Sequence, residues 1–163
     1  MRRLIRTFLL ILLPVAAAAQ VRPWVEAITY DAAIDSPFSL GGDANIYQYH
    51  NDGLGVNYRG DRPALHEALR KATNQLKFDS TFDGLVRVRF VVNKAGESGM
   101  FRTYVYTVSG EQAHLPAALL NPLTQAVKQL NGWQPKIIRD QTVHYYQYVI
   151  FRIQGGKVSH ILP

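Results

Sequence analysis

No cysteine occurs among the 163 residues. That absence excludes a disulfide framework, thiolate metal ligands and a lipid-bearing cysteine at the end of a leader. The sequence also has no internal repeat, no low-complexity tract and no Pro-rich or Gly/Ser spacer. Catalytic signatures are missing as well. His66-Glu67 opens like a zinc-protease motif, but Arg70 stands where the second histidine belongs. His50, His114, His144 and His160 show no ligand spacing, so no metal site is expected. Gly96-Glu97-Ser98-Gly99 resembles part of a nucleophile elbow, yet it lacks the closing x-Gly and falls in a hairpin loop. Gly53-x-Gly55 is followed by a glycine, Gly60, that comes too late for a dinucleotide loop. Asp31, Asp35 and Asp43 are spaced too loosely for paired catalytic carboxylates and fit loop caps instead. Neither an enzymatic activity nor a cofactor is expected.

What is present begins at the N-terminus. Arg2, Arg3 and Arg6 precede the apolar stretch Phe8 to Ala19, and Ala17 and Ala19 form an A-x-A cleavage signal before Gln20. The stretch has 12 residues, against the ~20 that a spanning helix needs. The expectation is a cleaved secretory signal over 1–19, a periplasmic or secreted product and no stable membrane span. Three of the 18 Lys plus Arg lie in that leader, so its removal lowers the formal charge from +6 to +3. The basicity of the precursor is therefore a weak argument for nucleic acid, and no nucleic-acid partner is expected.

The remainder suits one domain. Residues 20–61 read as an N-terminal extension and loop: an irregular Val21 to Ile34, a turn around Gly41-Gly42, a helical turn within Ala44 to Tyr49, then a glycine-containing loop. A helix is expected from Arg62 to Lys77, capped by Asp61, with Leu65, Leu69, Ala72 and Leu76 as its apolar stripe. Gly84 to Asn93 alternates Val86, Val88, Phe90 and Val92 against Arg87 and Arg89, and a hairpin loop leads to a second strand from Met100 to Val108. A second helix is expected from Pro122, capped by Asn121, to Asn131-Gly132, preceded by an irregular stretch from Glu111 to Leu120. A third strand spans Val143 to Ile153, Gly155-Gly156 ends it, and the tail 157–163 adds at most a little extended structure. The expected class is α+β: two layers, a three-stranded and mainly antiparallel sheet, and two helices packed on one face, over 62–163.

One surface stands out. Arg87 and Arg89 share a sheet face with Arg102, Tyr104 and Tyr106, and His144, Tyr146, Tyr148 and Arg152 alternate along the third strand. Basic and aromatic side chains on a sheet can stack sugars or bases. The plainer alternative is a solvated face on which arginine stems cover apolar surface.

Several segments together resemble the carboxyl-terminal domain of TonB, the energy transducer of the Gram-negative envelope. The strand Gly84-Leu85-Val86-Arg87-Val88-Arg89-Phe90-Val91-Val92-Asn93-Lys94-Ala95-Gly96 is similar to that family's G-x-V-x-V-x-F-x-V-x-x-x-G hairpin. Ala126 to Pro135 is similar to its helix ending on W-x-P, Tyr145 to Phe151 to its terminal strand, and Pro37 to Ala44 to a short F-x-G-G-x-A segment. Gly96 would permit the tight hairpin, Trp133 would anchor the second helix end on the sheet, and Pro135 would stop the helix. The sequence departs from the family in placing Pro63 well before Gly84, and in having neither a retained anchor nor a long Pro-rich spacer.

The resemblance implies a non-enzymatic binding or adaptor module in the periplasm. It implies recognition by strand addition, in which an extended peptide of an envelope protein, such as an outer-membrane transporter, pairs with an open sheet edge. The expected edge is the last strand, with Val143, Tyr145, Gln147, Val149 and Phe151 as the partner-reading residues. The same edge could pair with its own copy in a homodimer. The alternative is a cell-wall or carbohydrate binder that uses the Arg/Tyr face.

Overall fold

The computed structural model describes residues 27–42, 45–48 and 56–163. The leader and its cleavage site lie outside them, as do Asp43, Ala44, Tyr49, His50, Gly53 and Gly55. The elements are helix α1 (Ala32–Asp35), strand β1 (Ile46–Tyr47), helix α2 (Asp61–Thr73), strands β2 (Gly84–Val92) and β3 (Ser98–Thr107), helix α3 (Ala117–Lys128), and strands β4 (Lys136–Ile138), β5 (Gln141–Gln154) and β6 (Lys157–Leu162). The chain is thus a mixed α/β protein, but its sheet has six strands rather than the expected three, and a third short helix is added.

The centre of the sheet is the antiparallel pair β2 and β5, in register from Gly84↔Ile153 to Val92↔Tyr145. Period-2 alternation sends Val86, Val88, Phe90 and Val92 of β2 to the same face as Phe151, Val149, Gln147 and Tyr145 of β5, and all eight are fully buried. Leu65 and Leu69 of α2 and Leu123, Ala126 and Val127 of α3 cover that face. Strand β3 flanks β2 and completes the layer with Val105 and Phe101, whose ring stacks on Phe90 at 5.1 Å. On the other flank of β5 lie β6, antiparallel, and β1, parallel.

Two helix starts differ from the sequence expectation. Asp61 does not cap α2; its carboxylate instead accepts the Val56 N–H at 2.6 Å, and Gly60 takes the cap position in a left-handed conformation. Helix α3 begins at Ala117, so Pro122 lies inside it. The bond that Pro122 cannot donate would go to Ala118, which is exposed and can be hydrated, while Leu119 and Leu120 gain contact with the core. Within 44–49, the described residues form strand β1, not a helical turn.

The N-terminal segment packs on the opposite face of the sheet. Ile28, Phe38, Leu40 and Ile46 gather over Val91, Met100 and Tyr146 in a second, smaller core. The Ile28 N–H donates to the Tyr146 hydroxyl at 3.2 Å, across a sequence separation of 118. Phe38 lies so close to Gly99 that a β-carbon at that position would overlap its ring. Gly99→Ala should therefore destabilise the protein by about 1–3 kcal/mol in urea unfolding, an overpacking cost. The Phe38→Ala, Gly99→Ala double variant should lose less than the sum of the two single changes, because the smaller side chain makes room for the methyl group.

Candidate functional site

The five residues expected to read a partner do not lie on an edge. Strand β5 has β2 on one flank and β6 and β1 on the other, so it is interior to the sheet. Val143, Tyr145, Gln147, Val149 and Phe151 are all buried. Their work is structural. The Tyr145 hydroxyl donates to the Gln134 carbonyl at 2.9 Å and accepts from Asn57 Nδ2 at 3.2 Å, tying the end of α3 to the sheet. Gln147 folds back so that its Oε1 accepts the Tyr148 N–H at 2.8 Å, between the stretches of β5 paired with β1 and with β6. The expected placement of the open edge is thus corrected: the tail beyond Gly155-Gly156 is itself a strand and covers β5.

The residues similar to the TonB motif sit around one junction. Gly96 adopts φ +84° in the β2–β3 turn, and a β-carbon there would come within 2.9 Å of the Trp133 carbonyl and 3.3 Å of Pro135. Trp133 is buried against Phe90, centroids 5.1 Å apart, and meets Tyr58 edge-on at 5.0 Å. At the other end of β2, a β-carbon on Gly84 would lie 2.6 Å from the Phe82 ring.

Arg87, Arg89, Arg102, Tyr104 and Tyr106 do share the face opposite the helices, with Arg87 beside Tyr104 and Arg89 beside Arg102. The three arginines are engaged by tyrosines of β5 or by the N-terminal segment. Arg102 forms a two-pronged ion pair with the buried Asp35, both bonds 2.8 Å, and also donates to the Thr29 carbonyl. This contact raises the Arg102 pKa and holds the Asp35 carboxyl below its ordinary value. The Arg89 guanidinium is 4.2 Å from the Tyr146 ring centroid and donates to Gln48, and Arg87 lies 4.7 Å from that of Tyr148. Burial, and Arg89 beside it, lower the Arg87 pKa, while burial raises that of Tyr106. Tyr106 itself is 3% exposed. A sugar platform needs open ring faces, and guanidinium groups already occupy those of Tyr146 and Tyr148.

The outer flanks of the sheet therefore decide where a partner could pair. The C-terminal end of that of β3 is covered: the Ala113 N–H donates to the Val105 carbonyl at 2.9 Å and Gln112 bridges to Tyr106, while Thr103 meets Thr124 of α3 through its side chain. That of β6 carries no strand among the described residues. Between β6 and α2 runs a groove of about 490 Å³. Leu76, Val158 and Ile161 give it an apolar part, and His66, Arg70, Lys157 and His160 its polar rim. His66 Nε2 lies 3.3 Å from the Pro163 main-chain oxygen. Sequence reasoning placed these residues on a solvated helix side and in a short tail. The overlooked signal was Gly155-Gly156, a two-residue hairpin turn with φ +56° and +74°.

Among the described residues, no group of three or more His, Cys, Asp or Glu is arranged to hold a metal ion, and no helix is long and apolar enough to cross a membrane. No family model, curated protein or solved structure matches the chain.

The Asp35–Arg102 pair generates a pH dependence. With its folded pKa depressed below the unfolded value of about 3.9, Asp35 contributes stability that is complete above that value and is lost as pH falls through the folded pKa. Urea midpoints measured between pH 6 and pH 2 should show that acid-side loss. Asp35→Asn should lower stability at pH 6 and flatten the acid limb of the curve.

Proposed function

We propose that this protein is a non-enzymatic binding module of the cell envelope that takes an extended peptide segment of another envelope protein as an added strand on β6. The observation that carries this reading is the outer flank of β6, which carries no strand among the described residues, beside the groove under α2. Backbone N–H and C=O groups along such a flank are a template for another chain, and the groove offers places for alternate side chains of the incoming strand. The likeness of Gly84–Gly96 and Ala126–Pro135 to the TonB carboxyl-terminal domain supports the same mode of recognition, with an outer-membrane transporter as one partner of that kind. Export to the periplasm rests on the leader over 1–19. Apolar burial does the work of cross-links in the cysteine-free core, so nothing in the fold requires disulfide formation after export.

Titration of the isotope-labelled protein with a capped octapeptide of alternating valine and a polar residue tests this. Backbone amide shifts and slowed hydrogen exchange should concentrate on Lys157 to Leu162, with β3 little changed. Shifts spread evenly over the protein, or centred on β3, would remove the proposal. Slowed exchange at β6 that appears with protein concentration alone, together with dimerisation, would make a second copy the partner.

A further inference from the structure

We infer that the strand received by β6 is acidic, an inference that rests on strand addition at this edge. The rim of the groove holds Arg70 and Lys157, joined by His66 and His160; no Asp or Glu lines it, and the main-chain oxygen of Pro163 lies 3.3 Å from His66 Nε2. Neither Arg70 nor Lys157 has a carboxylate partner among the described residues. Their surroundings differ in this from those of Arg102, which Asp35 neutralises.

Register fixes how these side chains are displayed. Lys157 pairs with Gln154 and His160 with Arg152, so both belong to the sheet face away from the helices. Val158 and Ile161, opposite Ile153 and Phe151, turn toward the helices, the side on which α2 brings Arg70 and His66. A strand laid along β6 alternates its side chains between these two faces. Acidic residues on one face then meet Arg70, and those on the other meet Lys157 and His160. Valine or isoleucine on the helix side can also reach the apolar part of the groove. A second copy of this chain would bring the same cations to the edge and no acid to match them, so like-charge repulsion disfavours self-pairing. Lysine on an edge strand commonly serves that end, and here it selects a partner of opposite charge as well.

Three capped octapeptides test the inference without altering the protein: alternating Val-Glu, Val-Gln and Val-Lys. The Val-Glu peptide should bind roughly tenfold more tightly than Val-Gln, with an affinity that falls as salt is raised, and Val-Lys should bind least. In the Arg70→Glu, Lys157→Glu variant the order of Val-Glu and Val-Lys should invert; both substituted positions are exposed. Equal binding of all three peptides at β6 would overturn the charge selection while leaving strand addition standing. Absence of any β6 shift with all three would overturn strand addition itself.

Discussion

The pairing of β2 with β5 is the constraint on which everything else depends. Nine consecutive residue pairs hold the two strands in one register. That register decides which side chains face the helices and which face the N-terminal segment. A slip of one residue would put Phe90 on one face with Tyr146 instead of Tyr145, so that one of the two strands would turn its apolar set away from the helices. Both faces of the strand pair would fail at once, because each is built from one parity of the same two strands. The C-terminal half of β2 shows how far this goes: Phe90, Val91 and Val92 are all 0% exposed, although they point alternately to opposite sides.

The two cores differ in chemistry. The larger one is aliphatic and aromatic, closed by Trp133 at the point where the β2–β3 turn, the end of α3 and Tyr58 meet. The smaller one is ringed by arginine. Asp35 can be buried there only because Arg102 neutralises it with two parallel bonds, and the guanidinium groups of Arg87 and Arg89 lie over tyrosine rings. A surface that looks, as a list of residues, like a site for a basic and aromatic ligand contact is in part the underside of the protein's own N-terminal segment, which engages Arg89, Arg102 and Tyr146.

Strands β2, β3 and β5 and the apolar stripes of α2 and α3 were legible because their periodicity is long and clean. Val86, Val88 and Phe90 alternate with Arg87 and Arg89, and Leu65 and Leu69 or Leu123 and Val127 recur on one helical face. The strands that went unread are short or irregular. Strand β4 turns into β5 through Arg139 and Asp140, both with positive φ, where the sequence offers none of the usual glycine. Strand β6 has a register shift opposite Arg152 and Ile153, so its inward residues, Val158 and Ile161, are three apart and mimic a helical spacing rather than a strand. Because β6 was not seen, the sheet edge was set one strand too far in. Charge alone could not have placed Arg70 and Lys157 on one groove, since that depends on where α2 lies against β6. The start of α3 was misplaced for a different reason: Pro122 is a strong local signal, and burial of Leu119 and Leu120 outweighs it.

The bond between Ile28 and Tyr146 also constrains how the chain can fold. One end of the smaller core lies near the beginning of the sequence and the other on β5, 118 residues later. Loop-closure entropy makes such a contact slow to form, and it has no surface to dock on until β5 has paired with β2. A nascent chain must therefore hold its N-terminal segment open until almost all of the sequence has emerged. The back of the sheet, with its arginines and tyrosines still uncovered, is the face that such an intermediate shows to its surroundings.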